Sequence, residues 1–381
     1  MLRPRFEELP SLIPFVAGAV TQPYPGTGLP RDLPYIGLLL KLRLRAVAAA
    51  QTVAGNYFPE WPNTLIRRIR VQGTKAGGGG SVTLVNIRGE EAYQLFKIFQ
   101  EYVPVGASLA GLPGSGGSTL PIGLAATANG TFDGYAYYYV PLSPPRSLLR
   151  DNLYGLQDFS IYSQVDLLLD FGTNPGSIAS GFTGTTWTLT DFGLGAGSPQ
   201  VQIHREVALP GKGAPINKFH YIYSSKKIAI QSIIGATFAD QKITDLNAGN
   251  MLRFIMMRQY SENASVDGLI DQSAGVSLAR IGDNSNIGTF RIRVKVNGAE
   301  KARGFWPDLQ ERNRKDYNQT ILMPQGYAVF DWSNLGPMSD IFDARGFGVG
   351  AVRWELFGDG LNLVAADKMD VLQAEQVPVE V

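Results

Sequence analysis

Few side chains in this sequence are of the types that do covalent chemistry. The 381 residues include no cysteine and two histidines, His204 and His220. Without cysteine there is no disulfide, no thiolate metal site and no thiol nucleophile. Two histidines sixteen positions apart do not supply the histidine-rich sets that most transition-metal oxygenases need. No metal and no cofactor is expected. "DFG" occurs at 170–172 and again at 191–193. A kinase would place its catalytic loop and glycine-rich loop upstream, but both histidines lie downstream of both copies. Each "DFG" reads as a strand end followed by a turn glycine. "KAGGGGS" and "PGSGGST" are glycine-rich without the following Gly-Lys-Ser/Thr of a phosphate cradle. Carboxylate pairs such as Glu90/Glu91 and Asp340/Asp343 have the residue type for glycoside hydrolysis, yet read as solvated helix ends. The chain is read as a non-enzyme.

The remaining candidates are surfaces. Lys41, Arg43 and Arg45 alternate with Leu40, Leu42, Leu44 and Ala46. Arg291, Arg293 and Lys295 alternate with Phe290, Ile292, Val294 and Val296. Period two with one apolar and one basic face is a half-buried strand. Such a basic face could meet lipid headgroups or nucleic acid, but more often it is solvated or pairs with neighbouring acids. Net charge is +1, without the basic excess of a phosphate-gripping protein, so no specific nucleic-acid binding is expected. Tyr135, Tyr137, Tyr138 and Tyr139 could stack on sugars; core and interface packing is the simpler reading.

These surfaces must be carried by a β-rich scaffold. Gly (44) and Pro (23) punctuate many short apolar runs, and 44% of residues are hydrophobic, enough for a packed core. Residues 1–34 read as an N-terminal arm with a short amphipathic turn or two, then a proline-stiffened extended stretch. Glu7 and Glu8 stand where a signal peptide would be basic. Strands are expected near 35–48, 63–73, 82–89, 131–140, 161–171, 184–191 and 199–208, with a helix from Glu90 to Tyr102. Residues 103–130 read as a long exposed loop. "LPGKGAP" within 209–217 is the linker. Strands resume at 219–234, 250–260, 290–296, 326–332, 349–357, 361–366 and 369–376, with a helix at 306–317.

The second half echoes the first. "NTLIRRIRVQG" at 63 resembles "NMLRFIMMRQY" at 250. Gly134-Tyr135-Ala136 returns as Gly326-Tyr327-Ala328, Gly172 as Gly358, and in each half a strand ending in Gly (Gly89, Gly298) leads into a helix. Ordered landmarks with length differences confined to loops point to a duplication. About eight strands per half make a jelly roll. The expected fold is all-β: two tandem eight-stranded jelly rolls, a double jelly roll, with short helices in the inter-strand loops, at 35–208 and 218–381.

With its N-terminal arm, large loops and ordered duplication, the chain resembles the double jelly-roll major capsid proteins of tailless icosahedral double-stranded DNA viruses, of the membrane-containing bacteriophage type. The resemblance covers about 35–376. It implies a homotrimer whose six jelly rolls tile an icosahedral capsid pseudo-hexagonally, beside neighbouring trimers, vertex (penton) and minor capsid proteins, and an internal viral membrane. It implies a virion protein made in the host cytoplasm. Loops 103–130 and 264–288 would form outer towers. The arm would reach inwards, with Phe6, Leu9, Leu12, Ile13 and Phe15 as its contact residues. The alternative is a carbohydrate-binding or glycan-cleaving β-sandwich protein using the Tyr135–Tyr139 run.

Overall fold

A computed structural model of the chain describes residues 3–49, 56–57, 65–100, 130–143, 156–172, 179–180, 186–191, 197–209, 219–229, 241–245, 250–261, 291–316, 327–331, 342–343, 352–357 and 367–378. The chain forms two compact units, residues 1–224 with 378–381 and residues 225–377. The expected linker 209–217 lies outside the described residues, save Leu209. So do the expected strand 361–366, loop 264–288 and, save Gly130, loop 103–130.

The first unit contains β1 (Arg3–Glu8), β2 (Ile13–Pro14), β3 (Gln22–Pro23), β4 (Tyr35–Ala49), β5 (Asn56–Tyr57), β6 (Ile66–Lys75), β7 (Ser81–Ile87), α1 (Gly89–Gln100), β8 (Gly130–Pro141), β9 (Tyr162–Phe171), β10 (Ala179–Ser180), β11 (Thr186–Thr190), β12 (Gln200–Leu209) and the start of β13 (Phe219–Ala229). In one sheet β4 is central. It pairs antiparallel with β8 along one side, and with β12 and β11 along the other. In the other sheet β6 lies between β7 and β9. Alternation along β4 decides which face is core: Leu38, Leu40, Leu42 and Leu44 are buried, while Lys41, Arg43 and Arg45 are half-buried on the opposite face. Tyr138 of β8 reaches from the first sheet to the Ile66 backbone of β6, and Tyr35, Phe159 and Tyr162 form a chain of ring contacts between β4 and β9.

The second unit contains β14 (Gln241–Asp245), β15 (Met251–Ser261), β16 (Arg291–Val296), β17 (Ala299–Phe305), α2 (Trp306–Asp316), β18 (Tyr327–Asp331), β19 (Phe342–Asp343), β20 (Val352–Phe357) and β21 (Asp367–Pro378). Here β15 is central, with β21 on one side and β18 and β19 on the other. β16 lies between β17 and β20, and β14 pairs with β20. Arg258 sits directly across from Asp370, and the two form a buried ion pair of 2.8 Å. A one-residue slip would bury these charges apart, which opposes slippage.

Pairing confirms the duplication and corrects its alignment. β4, β6, β7, α1, β8, β9 and β12 correspond to β15, β16, β17, α2, β18, β20 and β21. In each unit a long strand ahead of the helix pairs with a long strand well after it (β4 with β12, β15 with β21), a strand pair precedes the helix, and the helix packs on the next strand. β8 thus matches β18 and β9 matches β20, while Gly326 and Gly358 lie outside the described residues. The stretch at 250 corresponds instead to β4, not to the stretch at 63. Gly298 is the turn of the β16–β17 hairpin, with Asn297 and Gly298 both at positive φ, and the helix starts one strand later.

Candidate assembly surface

Residues 3–34 form a strap on the first unit. β1 pairs antiparallel with β12, β2 with the start of β12, and β3 with β9. The backbone N–H groups of Tyr24 and Leu29 then donate to Leu167 and Val165. The strap thus runs from an edge of one sheet to an edge of the other. No helical turn forms at β1. Pro4, Pro10 and Pro14 lack the N–H that a helix interior needs, and β12 supplies ladder partners.

Two charge clusters hold the strap. Arg205 of β12 donates from Nε to Glu7 of β1 at 2.7 Å and from its terminal nitrogens to Asp32 at the strap's far end. Its hydrogen bonds hold the Asp32 carboxyl below its ordinary pKa. The guanidinium lies 6.0 Å from the centre of the Tyr35 ring, whose phenol burial pushes up to about 12. In the second cluster Asp170 of β9 accepts from the Thr21 N–H at 2.7 Å and from Arg70 at 2.8 Å, and Arg70 also donates to the Thr21 hydroxyl. Sequence reasoning missed Arg205. The available signal was its place in Val201, Ile203, Arg205, Val207: a lone arginine on the core-facing side of a strand has a specific partner to meet.

The expected arm residues divide. Leu9, Ile13 and Phe15 are buried in the chain's own first unit, Phe15 against Phe171 with ring centres 4.9 Å apart. Phe6 and Leu12 are exposed, as are Val16 and Val20 further along. Only the exposed members can touch a partner.

The basic face of β4 is mostly engaged. Arg43 binds the buried carboxylate of Asp191 at 2.8 Å. Lys41 lies 4.0 Å from the centre of the Tyr135 ring, and burial beside Arg43 lowers its pKa. Arg45 shares this face and is half-buried. In β16, Arg291, Arg293 and Lys295 pair in register with Phe357, Glu355 and Arg353 of β20. Lys295 is half-buried, and the side chains of Arg291 and Arg293 lie outside the described residues. Both "DFG" aspartates are ion-pair partners, of Arg70 and Arg43. Tyr138 and Tyr139 are buried, which removes half of the tyrosine platform. Tyr139 crosses over Gly37 to donate to buried Glu206 at 2.9 Å. Glu90 and Glu91 are also buried, not solvated: they open α1, and Glu91 accepts the Arg88 N–H at 2.8 Å, half of a capping box. Asp340 lies outside the described residues. Among the described residues no group of three or more His, Asp or Glu could hold a metal ion, and no helix is long and apolar enough to cross a membrane.

Compared with solved structures, the chain matches STIV MCP, from Sulfolobus Turreted Icosahedral Virus, over 99% of its own length and 97% of that chain, with a TM-score of 0.59 and 14% identity. It has the fold of the double jelly-roll major capsid proteins. PBCV-1 VP54, as fitted into a reconstruction of the virophage Sputnik, shares this double jelly roll over 99% of this chain and 95% of that one, with a TM-score of 0.56 and 9% identity. The Faustovirus major capsid protein does so over 100% and 91%, with a TM-score of 0.50 and 12% identity. No protein-family profile matches the chain. A 151-residue segment is 27% identical to the bifunctional protein GlmU of Kineococcus radiotolerans, over 38% of this chain and 27% of that protein. The chain thus spans about a quarter of GlmU's length.

Proposed function

We propose that this chain is a major capsid protein that acts by assembly and not by catalysis. The observation that carries the reading is the match along the whole length of both chains to viral major capsid proteins. A likeness confined to one jelly roll would fit many sandwich proteins; one that spans the duplication, with little of either chain left over, is more specific. On this reading the jelly rolls at 35–208 and 218–381, joined by 209–217, give each chain two similar bodies. Three chains set six around a three-fold axis, and this homotrimer fills a pseudo-hexagonal site in an icosahedral shell. Neighbouring trimers, vertex (penton) and minor capsid proteins and an internal viral membrane are its partners, with Phe6 and Leu12 as the arm residues available to them. The protein is made in the host cytoplasm and resides in the virion.

Light scattering coupled to size exclusion tests the reading. A species of three chain masses that persists on dilution is the expected result. A monomer at every concentration refutes it.

A further inference from the structure

β1 is an open strand edge whose sequence is complementary to itself. Among the described residues it pairs with β12 on one side and with no strand on the other. An unpaired edge is a template for a further strand. The register fixes which backbone groups face the open side. The Leu9 N–H donates to Ile203, so by alternation Arg3, Arg5 and Glu7 bond towards β12, and Pro4, Phe6 and Glu8 turn their backbone groups outward. Phe6 is also 46% exposed, one of few large apolar side chains in the described surface that are. The strand reads Arg-Pro-Arg-Phe-Glu-Glu, basic in its first half and acidic in its second, so it complements a copy of itself only when antiparallel.

We infer that β1 pairs with β1 of a second copy of this chain about a two-fold axis through Phe6. In this register Phe6 meets Phe6 of the second copy, and the two exchange N–H···O bonds. Each Glu8 N–H donates to the Pro4 carbonyl opposite. The N–H that proline lacks therefore leaves no donor unpaired. Arg5 falls opposite Glu7 of the second copy, twice, and joins the pair it already forms with its own Glu7 at 3.0 Å. Moving the axis one residue either way sets Arg5 against Arg5 or Glu7 against Glu7, like charges directly opposite, which is unfavourable. Placing it between residues sets an outward-facing residue against an inward-facing one, and the ladder does not form. Charge order and backbone direction thus select the same register. The setting rests on the proposed function: there, this two-fold contact joins one trimer to the next.

The test is cysteine cross-linking of the full chain, which has no native cysteine to confuse it. Opposed residues of a hydrogen-bonded antiparallel pair have Cα atoms about 5.5 Å apart, within the roughly 4.4–6.8 Å that a disulfide spans. Mild oxidation of Phe6→Cys gives a covalent dimer on a non-reducing gel, several-fold more than Leu12→Cys or Val20→Cys, exposed strap positions away from the axis. Adding Arg5→Glu to Phe6→Cys abolishes the dimer, with an unchanged thermal midpoint to show that the fold persists. Cross-linking of Phe6→Cys no greater than that of the two controls overturns the inference. A trimer by scattering without this cross-link removes the strand pairing and leaves the trimer. The cross-link in a chain that is otherwise monomeric does the reverse.

Discussion

Replacing Asn313 by alanine tests how α2 closes the edge of β18. Val329 pairs with Met256 of β15 on one side of its strand. On the other side no strand is described, and its N–H donates to the Asn313 carboxamide oxygen at 2.8 Å while its carbonyl accepts from the amide nitrogen at 2.9 Å. Asn313 and Val329 are both buried. A single side chain thus satisfies two backbone groups that a neighbouring strand would otherwise hold. Alanine removes both bonds and leaves a buried N–H and a buried C=O without partners. At about 1–3 kcal/mol for each stranded group, the variant loses about 2–6 kcal/mol of stability in the second unit. Asn313→Asp separates the two bonds. It can still accept the Val329 N–H, but the ionised carboxylate offers no donor to the carbonyl and places oxygen against oxygen. Protonation restores a donor, so the folded state raises that carboxyl's pKa, and the deficit of Asn313→Asp shrinks as pH falls through the raised value. The assay is urea unfolding read beside hydrogen exchange of a peptide covering 327–331. An alanine variant within about 0.5 kcal/mol of the parent, with unchanged exchange at Val329, refutes the reasoning.

Other perturbations address the first unit. At Gly37 an added Cβ would sit 2.3 Å from the Tyr139 hydroxyl, so Gly37→Ala displaces the phenol from Glu206 and costs about 1–3 kcal/mol, read as a lower thermal midpoint. Combined with Tyr139→Phe, which removes the same bond, the loss is smaller than the sum of the two single losses; full additivity would show that the bond is not what Gly37 protects. The strap has its own pH signature. Arg205 depresses the Asp32 carboxyl below its ordinary value near 3.8, so this carboxylate's contribution is complete above that value and is lost as pH falls through the depressed one. Protection of residues 24–34 against hydrogen exchange in the parent stays level from neutral pH to about pH 4 and drops below it. Asp32→Asn lacks that step, and parallel curves for the two proteins would contradict the assignment. Because the Asp32 side chain is 59% exposed, the step weakens with added salt.

Much of this fold was legible because alternation is a local property. The basic and apolar faces of β4 can be read from Lys41 to Leu44 without knowing what covers either face. The duplication was legible for the same reason, but its alignment was not. In β15, Phe254, Ile255, Met256, Met257 and Arg258 are buried in succession, so both faces are covered and the period-two pattern that would match it to β4 is absent. Only its pairing with β21 and β18 reveals the equivalence. The turn at Gly298, by contrast, is written locally, since Asn297-Gly298 between two alternating runs is a strong hairpin signal. The strap was beyond local reading. Arg205 and Glu7 are 198 positions apart, and nothing in a proline-rich arm names so distant a partner. Burial of Glu90 and Glu91 likewise depends on what packs over α1 and not on the helix sequence.

The pairing of long strands far apart in each unit's sequence also sets a timetable for synthesis. β4 cannot complete its sheet until β12 has been made, and β15 must wait in the same way for β21. The strap waits longest, since β1 is translated before every other strand described and its ladder partner is the twelfth. Contacts so far apart in sequence close late and slowly. A nascent chain therefore carries an unpartnered, self-complementary edge for most of its time on the ribosome. Chains emerging side by side from one message would hold that edge at high local concentration, where premature strand pairing competes with folding.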